Sequence, residues 1–294
     1  MNWYRLLRFL PLERFKKPSP RVALLRLSGV IGSALPMRQG LTLQGLEETI
    51  ERAFQLPDLS AVALAVNSPG GSPVQSALIA SRVRQLAKQK DLKVLAFCED
   101  VAASGGYWLA LAADEIFVER NSIIGSIGVI SSGFGFADLI GKLGVERRTH
   151  TAGDKKSMLD PFRPEDPDDV VRLKALQKEI HQNFKDWVKE RRGERLRSDD
   201  GTLFSGEFWT GAKAVELGLV DGEGTAHHIL RERFGEKVKI LPIKGQESWL
   251  KRRLGLSVPS FGPGIEPSSL PSGNWASGLL AAVEERALWS RFGL

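Results

Sequence analysis

The sequence predicts an α/β fold with a mostly parallel sheet flanked by helices. Three observations predict it. Between residues 22 and 192, runs of strand length alternate with stretches whose apolar residues recur at helical spacing. The strand-like runs, such as AVALAVN at 61–67 and KVLAFC at 93–98, are apolar throughout, as in strands covered on both faces. The 294 residues are 42% apolar, enough to bury a core of ordinary size and too many for a disordered chain.

VALLRLSGVI (22–31) predicts the first strand, and Leu43 to Phe54 a helix. The strand at 61–67 ends in SPGG, whose residues favour a turn. Ser72 to Lys90 then predicts a helix, 93–98 a strand, and the apolar GGYWLALAA (105–113) a buried helix. Short β-type runs follow at EIFVE (115–119) and IGVIS (127–131), then a helix near 136–143. The charged stretch 165–192 has the length and apolar spacing of a long exposed helix. Residues 22–245 therefore make the body. Beyond it, 246–274 is basic and then rich in Pro, Gly and Ser, which predicts a flexible linker. WASGLLAAVEERALWSRFGL, within 275–294, predicts an amphipathic helix that docks on a membrane, another subunit or its own body.

The charge excludes one class of partner. The chain carries +6 overall, but residues 1–21 hold +5, 229–253 another +5 and 254–294 −1, leaving 22–228 at −3. A nucleic-acid surface needs its positive charge on the folded body, so no nucleic acid is expected. No apolar run reaches the roughly 18 to 20 residues of a spanning helix, and no signal-type core with a cleavage site is visible. The N-terminal segment 1–21 sets Trp3, Leu6, Leu7 and Leu10 at helical spacing beside Arg5 and Arg8. Such a stretch lies in an anionic membrane interface or packs on protein. A cytoplasmic location, or a peripheral one at the cytoplasmic membrane, is expected. The single cysteine, Cys98, excludes an internal disulfide. No cofactor and no metal are expected.

Two segments carry chemistry. In VNSPGGSP (66–73), Gly70 and Gly71 sit where a buried strand gives way to a helix. Without a Cβ, their backbone N–H groups can approach a ligand closely, and a helix start favours negative charge. That suits an oxyanion hole as well as it suits a plain tight turn. In DVAASGGYWLALAAD (100–114), Ser104 stands between small residues at the start of an apolar helix, followed by Gly105. It is either a helix cap or an exposed nucleophile. A base is then needed. Of the four histidines, His150 lacks a motif, and His181, His227 and His228 lie on charged, exposed-looking stretches. TAGDKKSMLDPF (151–162) offers Lys155 and Lys156, and a lysine serves as base when burial neutralises it.

NSPGG, AASGGYW, GSIGVI (125–130) and DKKSMLDPF, in this order, resemble the signal peptide peptidase SppA family across roughly residues 20–235. The resemblance implies the fold shared by the Clp protease proteolytic subunit and the crotonases, and a serine endopeptidase with a Ser/Lys dyad. It implies Ser104 as nucleophile and Lys156, before SMLDPF, as general base. Ser126 of GSIGVI would orient that lysine, and Gly70, Gly71 and Gly105 would form the oxyanion hole. Ser126 and Lys156 follow Ser104 by 22 and 52 residues, the family layout. Implied substrates are extended, largely apolar peptides such as cleaved signal peptides. Also implied is a ring-like homo-oligomer with active sites shared between protomers. The chain has the length of a single-repeat form and lacks the usual N-terminal span. The alternatives are a crotonase-like enzyme acting on acyl-CoA thioesters, which would not need Ser104 and Lys156 together, and a non-catalytic membrane-associated scaffold.

Overall fold

The computed structural model describes residues 19–32, 34–35, 38–153, 155–243, 283 and 286–293. Most of the expected N-terminal segment, the linker at 246–274 and most of the helix at 275–294 lie outside these residues. The body begins with β1 (Arg21–Ser28), the small pair β2 (Ala34–Leu35) and β3 (Arg38–Gln39), and α1 (Leu43–Gln55). Then come β4 (Leu59–Ser68), α2 (Pro73–Lys90), β5 (Val94–Ala103), α3 (Gly105–Ala110), β6 (Glu115–Val118) and β7 (Ile123–Gly125). Next are α4 (Ala137–Lys142), α5 (Pro167–Arg192), α6 (Asp200–Leu203), β8 (Phe208–Thr210) and α7 (Gly211–Glu216). β9 (Gly222–Glu223), α8 (Ala226–Phe234) and β10 (Lys239–Ile243) complete it.

The main sheet runs β10-β1-β4-β5-β6-β9, every neighbouring pair parallel. Its central strand β4 buries Ala61 to Val66 without a break, because both faces are covered. Phe54 of α1, Ile79 of α2, Leu109 of α3 and Phe184 of α5 close one face. Ile229 and Leu230 of α8 close the other against Ala61, Leu95, Phe97 and Phe117. The expected α/β fold class is the one observed.

The sheet changes partner within β5. Leu95–Cys98 pair with β6 and Val101–Ala103 with β7, while the β4–β5 register shifts between Val66 and Ser68. β5 is therefore longer than the expected 93–98. β7 corrects the second short run: the strand lies at Ile123–Gly125, not at 127–131. Gly125 at φ +112° and Ser126 at φ +51° end the extended chain there. The long helix starts where its caps place it. The Asp166 carboxylate accepts the Asp168 N–H, Pro167 opens the first turn, and Gly193 at φ +51° ends it.

Candidate active site

Ser104 follows the last residue of β5 and opens α3 at φ +52°, ψ −121°. A non-glycine residue at positive φ is strained by about 1–3 kcal/mol, which the surroundings must offset. Its N–H donates to the Gly125 carbonyl at 2.7 Å, and its carbonyl accepts the Trp108 N–H at 3.0 Å. Its hydroxyl makes no capping bond. Ser104 thus stands at the N-cap position of α3 without capping it through its side chain.

The two glycine motifs meet. A Cβ on Gly70 would stand 2.8 Å from Ser104 Cβ and 2.9 Å from the Gly105 nitrogen, so only glycine lets the loop lie against the serine turn. A Cβ on Gly71 would stand 2.1 Å from the Ile31 carbonyl oxygen. That carbonyl accepts Ser72 N–H, and Ile31 N–H donates to Gly70 O, both at 2.8 Å. The Gly70 N–H is turned to Ser68 Oγ at 3.2 Å. The amides of Gly71 and Gly105 have no acceptor among the described residues, and the Gly71 nitrogen is 3.4 Å from where a Gly105 Cβ would be. Two neighbouring free donors beside Ser104 could together hold a developing oxyanion.

Asn67 ties the motifs across the sheet. Its side-chain amide donates to Asp100 at 2.7 Å, and its carbonyl oxygen accepts Val101 N–H at 3.3 Å. This holds β5 where the register shifts, just before Ser104. Ser126 is 7% exposed and follows Gly125, the register partner of Ala103. The two serines thus leave adjacent strands side by side, both at positive φ. Ser126 N–H donates to the Glu207 carbonyl at 2.7 Å. Trp209 packs where a Gly125 Cβ would intrude.

The exposed setting expected for His181 is not the one observed. His181 is half-buried on α5, with Nε2 3.0 Å from the Ile127 carbonyl, one residue past Ser126. Only the fold could bring that helix to GSIGVI. Lys156 stands elsewhere. It is exposed on an arm, residues 129–166, and its ammonium makes no hydrogen bond or ion pair to any described residue, Ser104 and Ser126 included. The arm is held by its own contacts. Phe136 stacks obliquely on Phe162 at 5.6 Å, Arg147 caps the Phe162 ring at 5.4 Å and pairs with Asp160 at 3.3 Å. The Phe162 backbone N–H, then the Arg147 guanidinium, hold the Asp160 carboxyl below the ordinary carboxylate range. Around this frame Phe134, Leu143 and Ile130 are 75%, 68% and 65% exposed. Among the described residues no group of three His, Cys, Asp or Glu side chains is placed to hold a metal ion, and no helix is long and apolar enough to cross a membrane.

Residues 86–238 match the model of peptidase family S49, just over half of the chain. The chain belongs to peptidase family S49. Among S49-like relatives, the chloroplastic serine protease SPPA of Arabidopsis thaliana is 30% identical over 266 residues, 88% of this chain and 39% of that protein. A Brucella abortus protein named as the Na(+)/H(+) antiporter NhaA is 47% identical over 291 residues, 98% of this chain and 39% of its own length. The chain thus spans about two fifths of the length of these relatives. A solved structure of the 1510-N membrane-bound stomatin-specific protease shares the fold, with a TM-score of 0.50 at 14% identity, covering 78% of this chain and all of that one.

Proposed function

We propose that the S49 domain described above is a serine endopeptidase using Ser104 and Lys156. The strained, uncapped Ser104 beside two free backbone donors is the observation that carries this reading. Neutral Lys156 Nζ takes the Ser104 Oγ proton as Oγ attacks the scissile carbonyl. The oxyanion is held by the Gly71 and Gly105 amides, with Gly70 giving the loop its close approach. The protonated lysine passes its proton to the leaving amine, and water, deprotonated by the same Nζ, hydrolyses the acyl-enzyme. Ser126 orients the lysine. Crotonase-like chemistry on thioesters would need no serine turned out of its helix in this way.

A lysine acts as base only when desolvated, and Lys156 in its own chain is solvated. An exposed arm with bare Phe134, Leu143 and Ile130 favours a homo-oligomer in which Lys156 enters the adjoining copy's site. Substrates are extended apolar peptides, cleaved signal peptides among them. A peripheral place at a membrane fits the basic, amphipathic segment 1–21.

A serine-directed fluorophosphonate tests the dyad. Wild type should label at Ser104, Ser104→Ala not at all, and Lys156→Ala at least about 100-fold more slowly, the low end of what a general base contributes. Mixed Ser104→Ala and Lys156→Ala copies should regain labelling if the dyad is shared. Absence of wild-type labelling in every assembly state would sink the proposal.

A further inference from the structure

The residue before Ser104 has an unexpected cover. Along the end of β5, Ala102 turns into the main core, while Val101 and Ala103 turn to the other face. There they pack with Ile123 of β7, and the cluster is closed by Trp289 and Phe292. Phe292 is 9% exposed and meets Phe208 edge-on, with ring centroids 5.2 Å apart. Phe208 is the register partner of Gly125. The covered residues therefore stand one position before Ser104, and opposite the residue one position before Ser126. Residues 286–290 are helical, and the Phe292 N–H donates to the Trp289 carbonyl at 2.9 Å, turning both aromatic rings into one short unit.

This cluster is separate from both layers of the core. It has three buried members, and Trp289 is only half-buried. A contact of two side chains, outside the main core, opens at lower free energy than the body it rests on. Its chemistry is that of an apolar peptide: aromatic side chains laid on Val, Ala and Ile beside the serine. The surface at Val101, Ala103, Ile123 and Phe208 accepts such a segment, and here the segment is the chain's own.

We propose that Trp289–Phe292 is a resident competitor, and that an apolar peptide reaches this surface only when the segment leaves. The proposal rests on the reading of Ser104 as the site of peptide cleavage. By the logic of a fractionally available site, a segment docked nine-tenths of the time weakens apparent peptide affinity about tenfold.

The test reads binding without turnover. A fluorescein-labelled peptide of Leu and Phe residues is titrated by anisotropy onto Ser104→Ala protein, with and without Trp289→Ser and Phe292→Ser. The double substitution should tighten binding about tenfold, and a synthetic 283–294 peptide added in trans should displace the probe. Equal binding, weaker binding, or no binding to either form overturns the proposal. Those are also the results of a merely structural segment, whose loss would lower Tm without tightening anything. Failure of the fluorophosphonate labelling would refute the dyad and leave this binding difference standing, so the two failures are distinguishable.

Discussion

At Ser104 the chain gives up a relaxed backbone to turn one hydroxyl out of a helix cap. The neighbouring glycines make that turn possible, and they differ in what they can tolerate. Gly71 has φ +137° and would drive a Cβ to 2.1 Å from a backbone oxygen. Gly29, whose N–H donates to the Asn67 carbonyl at 2.9 Å, has φ +114°, and a Cβ there would meet nothing within 4 Å. Gly71→Ala should therefore displace a donor beside Ser104 and slow labelling by about 10²–10³-fold, the cost of losing one oxyanion donor. Gly29→Ala should cost only backbone strain, about 1–3 kcal/mol, with the labelling rate of the folded protein unchanged. Labelling rates and urea midpoints of the two variants, measured together, separate the effects; equal loss of labelling in both would refute the donor role. Asn67 and His181 act at the same scale. One fastens β5 before Ser104 and the other bonds the carbonyl after Ser126.

Among elements, β5 decides the site. By pairing first with β6 and then with β7 it ends next to a second strand, so two serine-bearing turns emerge together. The arm at 129–166 is the opposite kind of element, folded on its own contacts and on the Leu159 N–H bond to Asp169 of α5, and turning Ile130, Phe134 and Leu143 outward. If a second copy covers it, Ile130→Glu with Leu143→Glu should disperse the assembly, as charges fail to desolvate in an apolar interface. Light scattering should show a smaller particle with Tm of the monomer little changed. An unaltered particle mass would mean the arm is not the interface. Loss of labelling should accompany dispersal, because Lys156 rides on the same arm.

For the whole molecule, the end of α5 is clamped to the sheet by charge. Arg192, 3% exposed, pairs with Asp221 at 2.7 Å and donates from Nε to the Gly218 carbonyl. Asp221 also accepts the Ile116 N–H and pairs with Arg195. Burial alone would raise the Asp221 carboxyl, but the hydrogen bond and charge of Arg192 outweigh it and hold the group below its ordinary value. A depressed carboxyl contributes stability that is complete above the unfolded value, about pH 4, and is lost as pH falls through the folded one. Asp221→Ala should cost about 3–5 kcal/mol near neutrality by stranding Arg192. Its urea midpoint should converge on wild type as pH drops below about 4; a pH-independent gap would contradict the assignment.

The division between sequence and fold follows from range. Local pattern determined the α/β class, the strands at 61–67 and in EIFVE, the long helix capped by Asp166, and the glycines and serines of both motifs, because each rests on neighbours in the chain. IGVIS misled for the same reason: its β-type residues were visible, but the positive φ at Gly125 and Ser126 that ends the strand was not. Tertiary structure alone decided which glycine amides stay free, since Gly70's donor is claimed by Ser68. It also put His181 behind Ile127, left Lys156 on an exposed arm, and laid Trp289 and Phe292 over the residues beside Ser104. The His181 and Trp289–Phe292 contacts join segments far apart in sequence, set by how the sheet and helices pack; the Gly70–Ser68 bond spans two residues and follows from the turn conformation, which no periodicity in the chain encodes.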